Sequence, residues 1–230
     1  KGEQGTTADN ELNREFRAEK PNQKWVTDVT EFRLFGEKLY LSPILDLCSG
    51  DIVTYTLSDS PNLLMVTTML EQAFAKIPDN TNLLLHSDQG WHYRHKQYVK
   101  MLADKGVKQS MSRKGNCYDN SVMENFFGHL KSELLYLQKF ESMEHFKQEL
   151  IEYIDYYNNR RIKARLKGLP PALHRQQALL AAWTIWVRNI CLTFWGHFRF
   201  AARFFAFCPE NCTDGVLGSS DIVNSPNYNV

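Results

Sequence analysis

Apolar and polar residues alternate in places through "KWVTDVTEFR" (24–33), a stretch rich in Val, Thr and aromatics, and that period predicts a strand. Two more strands, "KLYLSPILDL" (38–47) and "DIVTYTLS" (51–58), follow at hairpin spacing, with turns at Phe35-Gly36-Glu37 and Cys48-Ser49-Gly50. Pro43 marks a bulge or an edge position within the second. The period then lengthens: "PNLLMVTTMLEQAFAK" (61–76) reads as a helix with Pro in its first turn. "NLLLHSD" (82–88) is a short apolar run of the kind a buried strand shows, residues 94–105 form a basic helix, and 107–111 a last short strand. Two long helices, 120–136 and 142–158, complete the order β-β-β-α-β-α-β-α-α. That order predicts an α/β fold: a mixed sheet with helices packed on its faces.

The helix over 120–136 follows the polar stretch "SRKGNCYDN" (112–120), which reads as loop and helix cap. At about 100° per residue, Met123, Phe126, Phe127, Leu130, Leu134 and Leu137 gather on one side as the buried stripe. Glu124 and Lys131 fall on one flank of that stripe, about 10 Å apart along the axis, and Glu133 falls on the other. Glu124 is thereby expected at the boundary between core and solvent, where a rigid helix can aim a carboxylate into a cleft.

Composition narrows the reading without deciding it. A net charge of +1 gives no global basic excess, so any nucleic-acid contact must come from local basic stretches. The five cysteines are odd in number and scattered, with neither a disulfide framework nor zinc-ligand spacing, which reads as cytosolic thiols. The opening "KGEQGTTADN" has no apolar core of a signal peptide, and the chain begins without Met, as a fragment or processed product does. Beyond residue 180 only six of the 53 charged side chains remain, while three of the five Trp fall there. The run "LLAAWTIWVRNICLTFWGHFRFAARFFAF" is interrupted by Arg188, His197, Arg199 and Arg203, unlike a membrane span. The final "GVLGSSDIVNSPNYNV" reads as disordered.

Three acids bear on chemistry when taken together. Asp28 stands in the middle of the first predicted strand, where a carboxylate is costly unless paired or metal-bound. Asp88 ends the fourth strand, a usual position for a site residue in α/β folds, although a strand-end Asp is more often a turn former. Glu124 lies near a helix start. Gathered carboxylates raise one another's pKa unless cations neutralise them, and all-oxygen donors select Mg²⁺ or Mn²⁺ over zinc. Two such ions can activate an attacking hydroxyl and stabilise the leaving oxygen of a phosphodiester. Lys131 is placed to hold a phosphate as a point charge.

The separations, 59 residues between Asp28 and Asp88 and 35 between Asp88 and Glu124, resemble the DDE signature of retroviral integrases and insertion-sequence transposases. The words "PNQKWVTDVTEF" (21–32), "LYLSPILDL" (39–47), "LLHSDQGWHY" (84–93), "QSMSRKGNCYDNSVMENFFGHLKSE" (109–133) and "YIDYYNNRRIKARLKGLPP" (153–171) are similar to those transposases whose second reading frame encodes the integrase core. The resemblance implies a ribonuclease-H-like fold with a mixed five-stranded sheet and flanking helices. It implies Mg²⁺- or Mn²⁺-dependent cleavage of DNA at element ends, then transfer of the freed 3′-OH to target DNA. Asp28, Asp88 and Glu124 would be the catalytic metal ligands, for two ions, and Lys131, seven residues after the glutamate, a DNA contact.

Further DNA contacts are expected from Arg113 and Lys114 in the loop. Arg160 and Arg161 are expected to join them from the basic run "RRIKARLK", for which a solvated helix end is the other reading. Asn120, Ser112 and Asn116 either touch DNA or metal-bound water, or cap and turn the chain. His86 reads as a buried, hydrogen-bonded histidine on the Asp88 side of its strand. Expected partners are DNA and further copies of the chain on it, with no membrane, in the bacterial cytoplasm and at the nucleoid. The resemblance implies a helix-turn-helix region that normally precedes "KGE", and the expectation from this sequence is a chain without it. The expected organisation is a linker remnant (1–20), the catalytic core (21–178) and an atypical apolar tail (179–230) of read-through or fusion origin. The competing function is that of a catalytically incompetent remnant, a DNA-binding or dimerising module.

Overall fold

The computed structural model describes residue 5 and residues 7–181. Strand β1 (Lys24–Thr27), β2 (Thr30–Leu34), β3 (Glu37–Asp46) and β4 (Ile52–Ser58) are followed by helix α1 (Leu63–Phe74), β5 (Leu84–Ser87), helix α2 (Lys96–Lys105) and β6 (Lys108–Met111). Helix α3 (Ser121–Leu130) and helix α4 (Met143–Asn159) come next, and residues 171–181 are helical.

The first predicted strand is two strands. β1 and β2 pair with the same edge of β3 in one continuous antiparallel register, Thr27 opposite Ile44 and Thr30 opposite Leu41. Continuing that register sets Asp28 opposite Pro43, which has no N–H to offer, and the ladder lapses at Asp28 and Val29. Asp28 therefore stands just beyond β1 rather than in mid-strand. Pro43 sits in a strand paired on both edges, so the edge reading fails. Pro43 is itself in register with Tyr55, and the bulge lies one step on, where the register shifts between Ile44 and Leu45 and Val53 of β4 is the extra residue. Counting β1 and β2 as one position, the sheet has five, with β1 also parallel to β5 and β5 parallel to β6. This is the mixed five-stranded sheet that the resemblance implies.

Alternation along the strands feeds two cores, one on each face. Val26, Leu39, Leu41 and Leu45 pack with Met123, Phe126, Leu130, Phe146, Leu150 and Tyr157 of α3 and α4. Trp25, Tyr40, Ile44 and Leu85 pack with Val66, Met69, Leu70, Tyr98 and Leu102 of α1 and α2. Of the predicted α3 stripe, Leu137 is the exception, at 77% exposure. The α-helix ends at Leu130 and gives way to a π turn, Lys131–Leu135, so the α period no longer applies at 137. The helix from Pro171 docks through Arg175, which reaches buried Asp46 at 3.3 Å and Asn22 Oδ1 at 2.5 Å.

Residues 7–16, expected as part of a linker, lie against the core. Leu12 is fully buried, its N–H and that of Glu11 donate to Ser110 Oγ, and Met111 N–H donates to Asp9 O. All the described residues belong to one compact unit. The readings of 182–230 lie outside the described residues. Among the described residues no helix is long and apolar enough to cross a membrane. The Cys48 thiol is free and pushed up to about 11 by burial and by Asp46 and Asp51.

The β2–β3 hairpin closes with Phe35 and Gly36 both at positive φ, 54° and 78°, the twist-matched two-residue turn. Phe35 is 53% exposed and strained there. Phe35→Asn is expected to stabilise the chain by about 0.5–1 kcal/mol, read as a higher urea midpoint with unchanged slope.

Candidate active site

The parallel pairing of β1 with β5 sets Trp25 beside Leu85 and Val26 beside His86. Two residues on, the same offset brings Asp28 next to Asp88, just past the carboxyl ends of both strands, where α/β sheets place their sites. Helix α3 delivers the third acid. Asn120, at its start, is buried and donates from Nδ2 to Thr27 O at 3.3 Å, which fixes the helix origin against the end of β1. Glu124, one turn later and exposed, lines the same cavity of about 560 Å³ as Asp28 and Asp88. Lys114 and Arg113 line it from the loop side, and Gln89 and Gly90 beside Asp88.

Each aspartate uses one oxygen on the backbone. Asp28 Oδ1 accepts from Val29 N–H and Asp88 Oδ1 from Gly90 N–H, both at 2.8 Å. Burial, then the charge of Asp88, and more weakly Glu124, push the Asp28 carboxyl up to about 7, against the Val29 hydrogen bond. Gly90 is dictated by this packing: a Cβ there would stand 2.9 Å from Asp88 Oδ1 and 3.3 Å from the Tyr93 ring. Gly90→Ala should displace the Asp88 carboxylate and slow any reaction that depends on it by about tenfold to a hundredfold, with the melting midpoint little changed. Single-turnover rates and a thermal melt on the same preparation check this.

Among the described residues no three Asp, Glu, His or Cys side chains are gathered closely enough to hold an ion as they stand. The donor chemistry nevertheless suits a hard cation. Three carboxylates face one cavity, and Asp28 is penalised there as an anion, a penalty that a bound cation removes.

The basic residues divide. Lys114 is exposed on the cavity wall. Arg113 lines it too, but its Nε and a terminal N–H hold buried Asp119 at 2.9 and 3.0 Å, leaving the outer edge of the fork to face outward. Lys131 opens the π turn, half-buried and outside the cavity lining. Arg160 pairs with Asp155 at 3.6 Å, and Arg161 pairs with Glu133 through both ends of its fork. Neither lines the carboxylate cavity.

Asn116 and Asn120 occupy N-cap positions but make no side-chain capping bond, contrary to the capping reading. Their Oδ1 atoms are buried on the cavity wall without a hydrogen-bond partner. His86 is fully buried between Ser110 Oγ at 2.9 Å and Ser112 Oγ at 3.1 Å. Burial brings it down to about 4, so it is neutral. Ser110 Oγ already accepts two backbone N–H groups, so its hydroxyl donates to His86 Nδ1. That leaves Nε2–H to donate to Ser112, a residue of the cavity wall.

Sequence reasoning missed Asp119. Fully buried, it takes the Arg113 fork, Arg14 Nε at 2.7 Å and Asn10 Nδ2 at 2.9 Å, and the bonds from Arg113, then from Arg14, hold its carboxyl far below the usual range against its burial. It ties the arm at 9–16 to the loop that borders the cavity. The local signal was present: an acid six residues after Arg113, between Asn116 and Asn120 in a polar stretch.

Two integrase core domain models match the chain, one over residues 18–117 and the other over 124–179. The chain is 53% identical over 180 residues to the putative transposase InsK for insertion sequence element IS150 of Escherichia coli (strain K12), covering 78% of this chain and 64% of that protein. It is 50% identical over 178 residues to an uncharacterized transposase-like protein of Haemophilus influenzae, covering 77% of this chain and 82% of that one. Among solved structures, the HTLV-2 integrase catalytic core domain in complex with magnesium, in its trimeric form, superposes with a TM-score of 0.54 at 16% identity, over 68% of this chain and 97% of that one. The simian T-cell lymphotropic virus intasome in complex with a PP2A regulatory subunit gives 0.54 at 17% identity, over 71% and 55%. At such identities the likeness speaks for the fold, the ribonuclease-H-like mixed sheet with flanking helices.

Proposed function

The chain belongs to the integrase-core family of insertion-sequence transposases, and from that premise we propose that it catalyses metal-dependent DNA strand cleavage and strand transfer at the cavity of Asp28, Asp88 and Glu124. One observation carries the reading: the parallel β1–β5 register sets two aspartates side by side, and α3 turns a glutamate into the same cavity.

In this reading Asp28 and Asp88 hold divalent cations with the oxygens not engaged by Val29 and Gly90, and Glu124 completes the set. Bound there, Mg²⁺ or Mn²⁺, as two ions, would supply activation of the attacking oxygen and stabilisation of the leaving one. The 3′-OH forms the new P–O bond, the old one breaks, and the leaving oxygen takes up a proton. The protein's own part is to place the strand. Lys114 and the outer edge of Arg113 neutralise phosphates at the cavity mouth, and Lys131 takes one further off, just past the end of α3. The orphan oxygens of Asn116 and Asn120 accept hydrogen bonds from a substrate hydroxyl or from water.

DNA is the partner in this reading, element end and target alike, and the working form is a homo-oligomer on DNA in the bacterial cytoplasm. The trimeric form of one structural neighbour and the intasome of another support self-assembly as an expectation. The test is joining of a pre-cut element-end oligonucleotide to target DNA by the full chain, with Mg²⁺ or Mn²⁺ against EDTA. Ion-dependent product supports the reading. DNA binding without product under any ion would favour the incompetent remnant.

A further inference from the structure

A second cavity, about 570 Å³, lies on the other side of α3. Its helix wall is Ser121, Val122, Asn125, Phe126 and His129. At about 100° per residue these centre roughly 130° around the helix from Glu124, so a single helix backs both cavities. The facing wall is Arg161, Lys163 and Arg165. Among the described residues that line it there is no carboxylate, whereas three line the first cavity.

The three cations are not equivalent. Arg161 is turned to Glu133. Lys163 has no anionic partner at its head among the described residues: Nζ donates to Gly50 O at 3.1 Å and to Tyr157 Oη at 2.6 Å, and lies 4.0 Å from the Tyr157 ring centroid. An ammonium carries three donors, so one remains for the cavity. Burial, Arg161 and Arg165 bring Lys163 down to about 7, with Asp51 and Glu133 opposing more weakly. A bound anion would relieve that penalty. Arg165 is exposed, with one long bond of 3.4 Å to Leu47 O, and most of its fork is unspent. Gly50 makes room for both heads, since a Cβ there would stand 3.2 Å from Lys163 Nζ and 3.4 Å from an Arg165 terminal nitrogen.

We propose that this groove binds a backbone phosphate of DNA through Lys163 and Arg165, gripping a strand away from the acidic cavity that receives its reacting end. The proposal rests on the reading that the chain acts on DNA, and on none of the metal chemistry. Within the basic run it moves the contact from Arg160 and Arg161, which have acidic partners, to the next two basic residues.

The test is binding of a labelled duplex oligonucleotide by the full chain in EDTA between about 50 and 200 mM salt. Lys163→Met and Arg165→Gln should each weaken binding several-fold at a fixed salt concentration. Each should also lower the slope of log affinity against log salt by about 1, uniformly across sequences. Lys163→Arg should restore the slope. A folded Lys163→Met with wild-type slope and affinity would overturn the proposal and leave Lys163 as a strut between Gly50 and Tyr157. Should Lys163→Met fail to fold, Arg165→Gln, at an exposed position, decides the matter by the same criterion. Stabilisation by millimolar inorganic phosphate that the variants lose, with DNA binding unchanged, would assign the groove to free anions and overturn the DNA reading. Joining in Mg²⁺ reads the chemistry and binding in EDTA reads this site, so failure of the one and failure of the other are separable.

Discussion

Glu124→Gln is expected to lower strand transfer by about a thousandfold or more, equivalent to about 4 kcal/mol of transition-state stabilisation, while the fold is unaffected. The structure separates the two effects cleanly. The Glu124 side chain is exposed, and no hydrogen bond or ion pair holds it to the described residues, so the fold depends little on its charge, an acid in the first turn of α3. An amide of the same shape keeps every packing contact of α3, whose core side is Met123, Phe126, Phe127 and Leu130. The only thing removed is one anionic ligand facing the cavity. Gel-resolved joining of a pre-cut oligonucleotide, beside a circular-dichroism melt, measures both quantities. Equal rates for the two proteins would remove Glu124 from the mechanism.

Asp28→Asn should also abolish joining, and it should raise the stability of the metal-free chain at pH 8. Asp28 is raised from 3.8 to about 7 in the fold, chiefly by burial and then by Asp88. A raised carboxyl contributes stability that is complete below its unfolded pKa and lost as pH climbs through the folded one. The metal-free chain should therefore lose stability between about pH 4 and 7, on the order of 2–4 kcal/mol from this group, and the asparagine variant should not. Divalent ions reverse the loss. At pH 8 and saturating Mg²⁺ or Mn²⁺ the wild type should melt several degrees higher, by roughly 1–3 kcal/mol, with a smaller gain at pH 5.5 where protons compete. Thermal melts of both proteins across pH, with and without the ion, decide it. An ion-induced shift surviving intact in Asp28→Asn would place the cation elsewhere.

Much of this was legible because it rests on local pattern. The period of two gave the strands, the period of 3.6 gave the helices, and five of the six apolar α3 positions are buried as read. What failed needed knowledge of a partner strand or of backbone geometry. The break at Asp28 depends on Pro43, fifteen residues away, facing it across the ladder. Leu137 was misplaced because nothing in an amphipathic repeat announces a π turn. Arg161 reads as a free cation until Glu133 is seen beside it, and residues 7–16 read as linker because their anchors, Ser110 and Asp119, lie about a hundred positions on. For the acids the reverse held. Their spacing resembled a known signature before any geometry was visible, and the cavity then brought all three together.

The neighbourly placement of Asp28 and Asp88 is a property of strand ends, and it is indifferent to how the chain travels between them. The loop from Ala75 to Leu83 enters β5 from the end of the sheet opposite the carboxylates. Extra residues at its exposed stretch, 78–80, would lengthen the path without moving either acid. The interval separating the aspartates is thus free to drift among homologues, and it offers a graft point for a tag or a fluorophore. The interval from Asp88 to Glu124 has no such freedom, because its loop is clamped through Arg113 and Asp119 before α3 begins.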